Sequence, residues 1–208
     1  MPTPVRTIYT PSKPLIVQVR GTSGSGKSTI IKRIMSETTG WHSILQAGRR
    51  QPVRYVKQTY TAPATKFDIT IIGHYESACG GGDTIGHARE IYEYIQEVQE
   101  NRIYSVIIAE SLLLSEDVKW TTQLYPPNQV KLLFLDTPLQ TCWDRIDERR
   151  ALKGNTRPLN YKKTETRLAQ IERSRLRLIA AGFNCPLVSC ETAYKEVLRC
   201  IHPISSLQ

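Results

Sequence analysis

The stretch GTSGSGKST, Gly21–Thr29, sets Gly21, Gly26, Lys27 and Ser28 at the spacing G-x-x-x-x-G-K-[ST]. These residue types suit one task, holding a chain of phosphates. Glycines let the backbone curl until successive N–H groups point inward, and they carry no side chain to block the cavity. A helix that opens here adds the partial positive charge of its N-terminus. Lys27 is expected to reach the β- and γ-phosphates, and the Ser28 hydroxyl to ligate Mg²⁺. Thr22, Ser23, Gly24, Ser25 and Thr29 complete the loop around the triphosphate of ATP. The context agrees, because the motif follows an apolar strand and opens a helical pattern.

Other residues offer chemistry at the same edge. Glu110 ends the apolar run VIIAE and is expected to project beside the phosphates. There it would orient metal-bound water or take a proton from an acceptor hydroxyl, unless it serves as a capping partner or lid salt bridge. Asp83 follows three glycines, Gly80–Gly82, whose lack of side chains implies close backbone approach, with an acceptor as one candidate for what approaches. Asp83 reads equally as a general base and as the N-cap of a helix opening at Ile85. Asp136 reads as structural, and His74 as a substrate contact. In LDTPLQTCWDRIDERRALKGNTRP, Arg145 and Arg149 form an R-x-x-x-R pattern, with Arg150 and Arg157 nearby. Guanidinium groups suit the charge that spreads over a phosphoryl group in transit.

Strands and helices must alternate to position these groups. Pro14–Gly21 reads as a buried strand and Lys27–Thr39 as a helix. Arg49–Thr61 reads as an irregular strand or hairpin, and Phe67–Tyr75 as a further strand. A helix over Ile85–Asn101 leads to a strand ending near Glu110, then a short helix over about Glu116–Leu124. The strand Val130–Asp136, a helix from Pro138 through Arg150, a long helix Tyr161–Ala181, CPLVSC and a helix Ala193–Cys200 follow. This alternation predicts an α/β, P-loop NTPase fold: a parallel sheet of about five strands, helices on both faces and an arginine-rich lid. Residues 1–208 are expected to form one domain, with 1–13 an extended arm and about 145–160 the lid. Ligands of such sheets bind where the strands end.

The formal charge of +9 is unevenly spread. Residues 1–66 carry a net +10, 67–144 a net −8 and 145–177 a net +7. Two basic segments flanking an acidic middle suggest a polyanion such as DNA, although some of this charge serves ATP. Arg49, Arg50, Arg54 and Lys57 interleave with Tyr55 and Tyr60, a mixture suited to backbone contacts and base stacking. Lys162, Lys163, Arg167, Arg173 and Arg175 are candidates for an opposite bank. The five cysteines are scattered without CxxC spacing, which suits reduced thiols in a cytoplasmic protein. No apolar run is long enough to span a bilayer, and no secretory signal opens the sequence.

A small phosphate-loop domain with an arginine-rich helix after its fourth strand resembles the nucleotide kinase group. GTPases would add an N-K-x-D motif, which is missing here. The combination of GTSGSGKST, GHYESACGGGDTIGHAREI, VIIAESLLLS and CWDRIDERR resembles, from about Pro14 to Leu178, a family of bacteriophage kinases acting on 5-hydroxymethyluracil in DNA. That resemblance implies phosphoryl transfer from ATP, with Mg²⁺, to a hydroxymethyl group during thymine hypermodification, in the host cytoplasm. The rival readings are a free nucleoside or nucleoside monophosphate kinase, a polynucleotide 5′-hydroxyl kinase, and a non-catalytic ATP-binding regulator or DNA-packaging accessory.

Overall fold

Leu15–Arg20 is short, rich in β-branched residues and bounded by Pro14 and Gly21, and it forms β1. The computed structural model describes residues 14–61, 65–77, 80–101, 105–155 and 158–201, with backbone alone at 60, 61, 65–67 and 101. The expected N-terminal arm, Cys79, Arg157 and the Tyr60 side chain therefore lie outside the described residues.

Lys27–Glu37 forms α1 directly after the phosphate motif. His42–Ile44, Arg54–Thr61 and Thr65–Ile72 form β2, β3 and β4. Gly82–Thr84 makes a single 3₁₀ turn, so the next helix, α2, begins at Ala88 rather than Ile85 and runs to Asn101. Ser105–Glu110 is β5. The helix expected over 116–124 is two short ones, α3 (Leu112–Glu116) and α4 (Lys119–Leu124). Asp117 causes the break: its carboxylate accepts from the amides of Trp120 (3.2 Å) and Thr121 (3.1 Å), capping α4. Val130–Leu135 forms β6, Leu139–Ala151 forms α5 and Tyr161–Ala180 forms α6. Leu187–Val188 is β7. The last helix, α7, spans Cys190–Ile201 and starts three residues early because Ser189 Oγ accepts from the Thr192 amide at 3.1 Å.

The sheet has seven strands in the order β2-β3-β4-β5-β1-β6-β7. Five of them, β4, β5, β1, β6 and β7, are parallel as expected. β2 and β3 are antiparallel additions at one edge, which corrects the expectation of a wholly parallel sheet. Only residues 62–64 separate β3 from β4, far fewer than the dozen or so that a parallel crossover needs. Side chains of β1 alternate between two cores. Ile16 joins α2, α3 and α6 on one face, while Val17 and Val19 join α1 and α7 on the other. This alternation also buries Gln18 and Arg20 completely.

Arg20 survives burial because its donors are used. It donates to Gln18 Oε1 (2.6 and 3.0 Å), the Asp117 carbonyl (2.7 Å) and Thr121 Oγ1 (2.6 Å). Tyr92 closes the set by donating to Asp117 Oδ2 at 2.9 Å, and the Phe134 ring lies 5.7 Å from the guanidinium. A buried charge is tolerated when it is hydrogen-bonded on every side. Here it anchors the strand that delivers the phosphate loop.

Candidate active site

β1 lies between β5 and β6, so the loops that follow all three strands meet at one edge. The P-loop is Gly21–Ser28, and Gly26 opens α1 at φ +102°, a left-handed conformation that glycine adopts without strain. Three neighbours hold the loop in shape. Ser115 Oγ accepts from the Gly21 amide (2.9 Å), while Thr137 Oγ1 (2.9 Å) and Cys190 Sγ (3.1 Å) both donate to the Ser25 carbonyl. Lys27, only 6% exposed, curls back and donates to the Gly21 and Thr22 carbonyls at 2.8 and 2.9 Å. Burial pushes its pKa below the ordinary lysine value, opposed by the negative charges of Glu110 and Asp83. The ammonium is thus already at the cradle, held by carbonyls that a phosphate can replace.

Register places Glu110 opposite Val19, two residues before the loop. Glu110 is 1% exposed, and Ser28 Oγ donates to its Oε1 at 2.9 Å. The two proposed metal-site residues are therefore already together. Desolvation pushes the Glu110 carboxyl up to about 7, held from rising further by Lys27 and by the hydroxyls of Ser28 and Tyr75. Tyr75 is buried, and its hydroxyl lies 3.2 Å from the Ile72 carbonyl, to which it can donate.

The glycine cluster does make a close approach, but to the protein's own backbone and carboxylate. A methyl group on Gly81 would collide with Glu110 Oε1, one on Gly80 with the His74 carbonyl, and one on Gly82 would stand 2.5 Å from the Glu110 carbonyl. Gly81 also takes φ +118° and bridges His74 through the backbone. The glycines thus make room for the protein's own groups: Gly81 covers the Glu110 carboxylate, while Gly80 and Gly82 pack on the His74 and Glu110 carbonyls. His74 is 4% exposed with Nδ1 3.4 Å from the Tyr55 hydroxyl, so it is packed inside rather than presented to a substrate.

Asp83 caps a helix, though not the one its sequence position suggested. Its Oδ1 accepts from Ser111 Oγ (2.6 Å) and the Leu112 amide (2.9 Å) at the start of α3. The side chain is exposed, and its charge is felt at Lys27 and Glu110, so it borders the site on the solvent side. Arg145 and Arg149 arrive from α5. Arg145 Nη1 donates to the Gly24 carbonyl at 3.2 Å, and Arg149 lies near enough to disfavour the Lys27 charge. Arg150 is turned away to Asn155 Oδ1 at 3.3 Å. Asp136 is exposed at the end of β6, and its amide rather than its side chain ties β6 to β7 through the Val188 carbonyl. A cavity of about 210 Å³ next to Gly26 is lined by Arg33, Arg145, Cys190, Glu191 and Tyr194.

The basic residues divide into two groups. Arg49 pairs with Glu90, and Arg54 with Glu97 at 2.9 Å, so half of the first expected bank is neutralised by the acidic face of α2. Arg167 (3.9 Å from Glu116) and Arg175 (2.7 Å from Glu172) are similarly occupied. Arg50, Lys57, Lys162 and Lys163 have no acidic partner among the described residues. Sequence reasoning missed Ser115, Thr137, Cys190 and Tyr75, whose contacts with the site span long stretches of chain and leave no local pattern.

A preformed phosphate nest, a lysine at its centre, a paired serine and carboxylate, and arginines from the helix after β6 define a P-loop phosphotransferase of the kinase class. Comparison with known proteins narrows that class. A profile of the 5-hmdU DNA kinase family matches residues 1–178. The 5-hmdU DNA kinase of Pseudomonas phage PaMx11 is 33% identical over 183 residues, 86% of this chain and 92% of that protein. A uridine kinase of Listeria welshimeri is 35% identical over 121 residues, 50% of this chain and 55% of that protein. The solved structure of deoxyadenosine kinase from M. mycoides, with dCMP and a flexible dCDP bound, covers 91% of this chain and 100% of its own at 15% identity and a TM-score of 0.43. The chain belongs to the 5-hmdU DNA kinase family. It is a kinase, and ATP is the phosphoryl donor that this family implies.

Gly81→Ala tests the roof directly. A side chain there must displace Glu110 or the backbone, so kcat is expected to fall by about 100-fold or more, a scale typical of small misplacements at a reacting centre. Far-ultraviolet circular dichroism should remain that of the parent protein. Unchanged kcat would show that Glu110 needs no such enclosure.

Proposed function

We propose that this protein, acting as a single domain in the host cytoplasm, transfers the γ-phosphoryl group of Mg·ATP to the hydroxymethyl group of 5-hydroxymethyluracil in DNA. The reaction would be a step in thymidine hypermodification of a phage genome. The observation that carries the reading is the hydrogen bond from Ser28 to the buried Glu110 beside the Lys27 nest, bordered by an exposed Asp83 where an acceptor can arrive. The family match and the unpaired cations support DNA as the acceptor's carrier.

Gly21–Thr29 cradles the triphosphate through inward amides, and Lys27 exchanges its two carbonyl partners for phosphate oxygens. The cavity beside Arg145, Cys190 and Tyr194 takes the base. Among the described residues no cluster of three or more His, Cys, Asp or Glu forms an all-protein metal cage. One hydroxyl and one carboxylate, Ser28 and Glu110, instead fit Mg²⁺, which keeps several waters and shares phosphate oxygens. Bound there, the ion would neutralise charge developing on the phosphoryl oxygens. Arg145 and Arg149 add positive charge from the lid side. Asp83, its Oδ1 fixed by Ser111 and Leu112, accepts the proton of the attacking hydroxyl. Arg50, Lys57, Lys162 and Lys163 contact DNA phosphates, with Arg49 and Arg54 as braces on the same edge.

Incubation with γ-labelled ATP should label DNA containing 5-hydroxymethyluracil, leave thymine DNA unlabelled, and leave free nucleosides and nucleotides unlabelled. Lys27→Ala should abolish labelling with DNA affinity retained, and Lys162→Ala with Lys163→Ala should lower the salt slope of binding by about 2. Label appearing on free nucleosides instead would favour the nucleoside kinase reading that the uridine kinase match raises.

Glu110 also gives the site a pH signature. Its carboxyl rises from 4.5 to about 7 on folding, so the folded chain holds this proton more tightly than the unfolded chain. Stability from this group is accordingly lost as pH climbs through that interval. A cation that needs the ionised carboxylate recovers it best above the interval. Mg·ATP should therefore raise Tm more at about pH 8 than at about pH 6, and Glu110→Gln should flatten the difference. An equal difference in the variant would remove Glu110 from the metal site.

A further inference from the structure

On the reading that the acceptor is a modified base in DNA, we infer that the acceptor nucleotide is extruded from its helix into the cavity between residues 49–53 and the Thr84–Ile85 turn. The transferring phosphoryl group must lie where Lys27, Ser28 and Glu110 meet, and Lys27 and Glu110 are 6% and 1% exposed. Gly81 covers the Glu110 carboxylate, and α5 approaches the phosphate loop through Arg145. The reacting centre is thus the floor of a crevice rather than a projection.

A hydroxymethyl group on a stacked base stands one carbon from the ring, inside a major groove about 12 Å wide and about 8.5 Å deep. A crevice floor does not enter such a groove. The base therefore travels to the phosphate, as it does in other enzymes whose chemistry acts on a base atom.

The cavity has the surfaces that an extruded pyrimidine nucleotide requires. It measures about 250 Å³ and is lined by Arg49, Arg50, Gln51, Val53, Thr84 and Ile85. That is a space for one base and not for a duplex. Arg54 pairs with Ile72 at the end of β4, so the 49–53 segment lies at the same sheet edge as the end of β5, and Thr84 in the lining follows Asp83 directly in the chain. Val53 and Ile85 are buried hydrophobic walls for the ring faces. Gln51 is exposed and has no hydrogen-bond partner among the described residues. Its amide offers one donor edge and one acceptor edge, which complement the N3–H and a carbonyl of uracil. Arg50, likewise unpaired, suits the phosphate flanking the extruded sugar. Arg49 is the positioning residue: it donates to Gln46 Oε1 (3.1 Å) and the Ile85 carbonyl (3.4 Å) and pairs with Glu90, tying one wall of the cavity to the other and to α2.

The test compares matched duplex, in which 5-hydroxymethyluracil faces adenine, with duplex in which it faces an abasic site. Extrusion from a pair costs a few kcal/mol, so KM for the unpaired acceptor should be lower by about tenfold or more. Gln51→Ala and Arg50→Ala should each raise KM for DNA by about fivefold or more while KM for ATP stays within about twofold. Equal KM values for the two duplexes, or variants with unaltered KM for DNA, would overturn extrusion while leaving the kinase assignment standing. Failure of the parent protein to label either duplex would instead refute the DNA reading, and the inference would fall with it.

Discussion

A carboxylate kept from water beside an ammonium and a hydroxyl is the constraint from which the rest of the site follows. Glu110 is 1% exposed, takes a hydrogen bond from Ser28 and lies close enough to Lys27 to feel its charge, and burial raises its pKa to about 7. Sealing it requires backbone where a side chain would ordinarily stand, hence Gly81 over the carboxylate, flanked by Gly80 and Gly82 packed on the His74 and Glu110 carbonyls. That strip ends in Asp83, which grips the start of α3. α3 in turn supplies Ser115, whose hydroxyl receives the first amide of the phosphate loop. The roof, the short helix and the loop are one connected assembly, so a disturbance in the glycines reaches the phosphates through hydrogen bonds already in place.

What could be read from the sequence was whatever depends on neighbours in the chain. The phosphate loop, its preceding strand and the helix from Lys27 are local, and the structure holds them where the spacing placed them. Glu110 was legible because an apolar run ending in an acid marks the carboxyl end of a buried parallel strand. Asp83 shows the limit. A cap within four residues is a pattern, but its real partners, Ser111 and Leu112, lie 28 and 29 residues ahead. The same holds for Arg20, a charged residue at the end of a core strand, whose acceptors come from β1 itself and from the Asp117–Thr121 segment. Sheet direction at the edge was misjudged because alternation of strands and helices governs only strands joined by crossovers, whereas β3 and β4 are separated by three residues.

Charge is also read differently once the chain is folded. The acidic middle segment and the first basic segment meet across α2 and the β2–β3 region, where Glu90 and Glu97 quench Arg49 and Arg54. These pairs are only partly buried and add little stability by themselves. Their value is positional, since they tie the β2–β3 region to α2 beside the cavity lined by Arg49, Gln51 and Thr84, while Arg50 has no acidic partner among the described residues. A polyanion would thus meet a few cations without acidic partners among the described residues, beside a braced edge, not a uniformly positive face.

The most direct measurement is a crystal structure of the complex with Mg²⁺, a non-hydrolysable ATP analogue and an oligonucleotide carrying 5-hydroxymethyluracil. The triphosphate should lie inside Gly21–Thr29, with Lys27 released from the Gly21 and Thr22 carbonyls and the acceptor oxygen about 3.5 Å from the terminal phosphorus. A nucleotide bound outside that loop, with Lys27 still on its carbonyls, would contradict this arrangement.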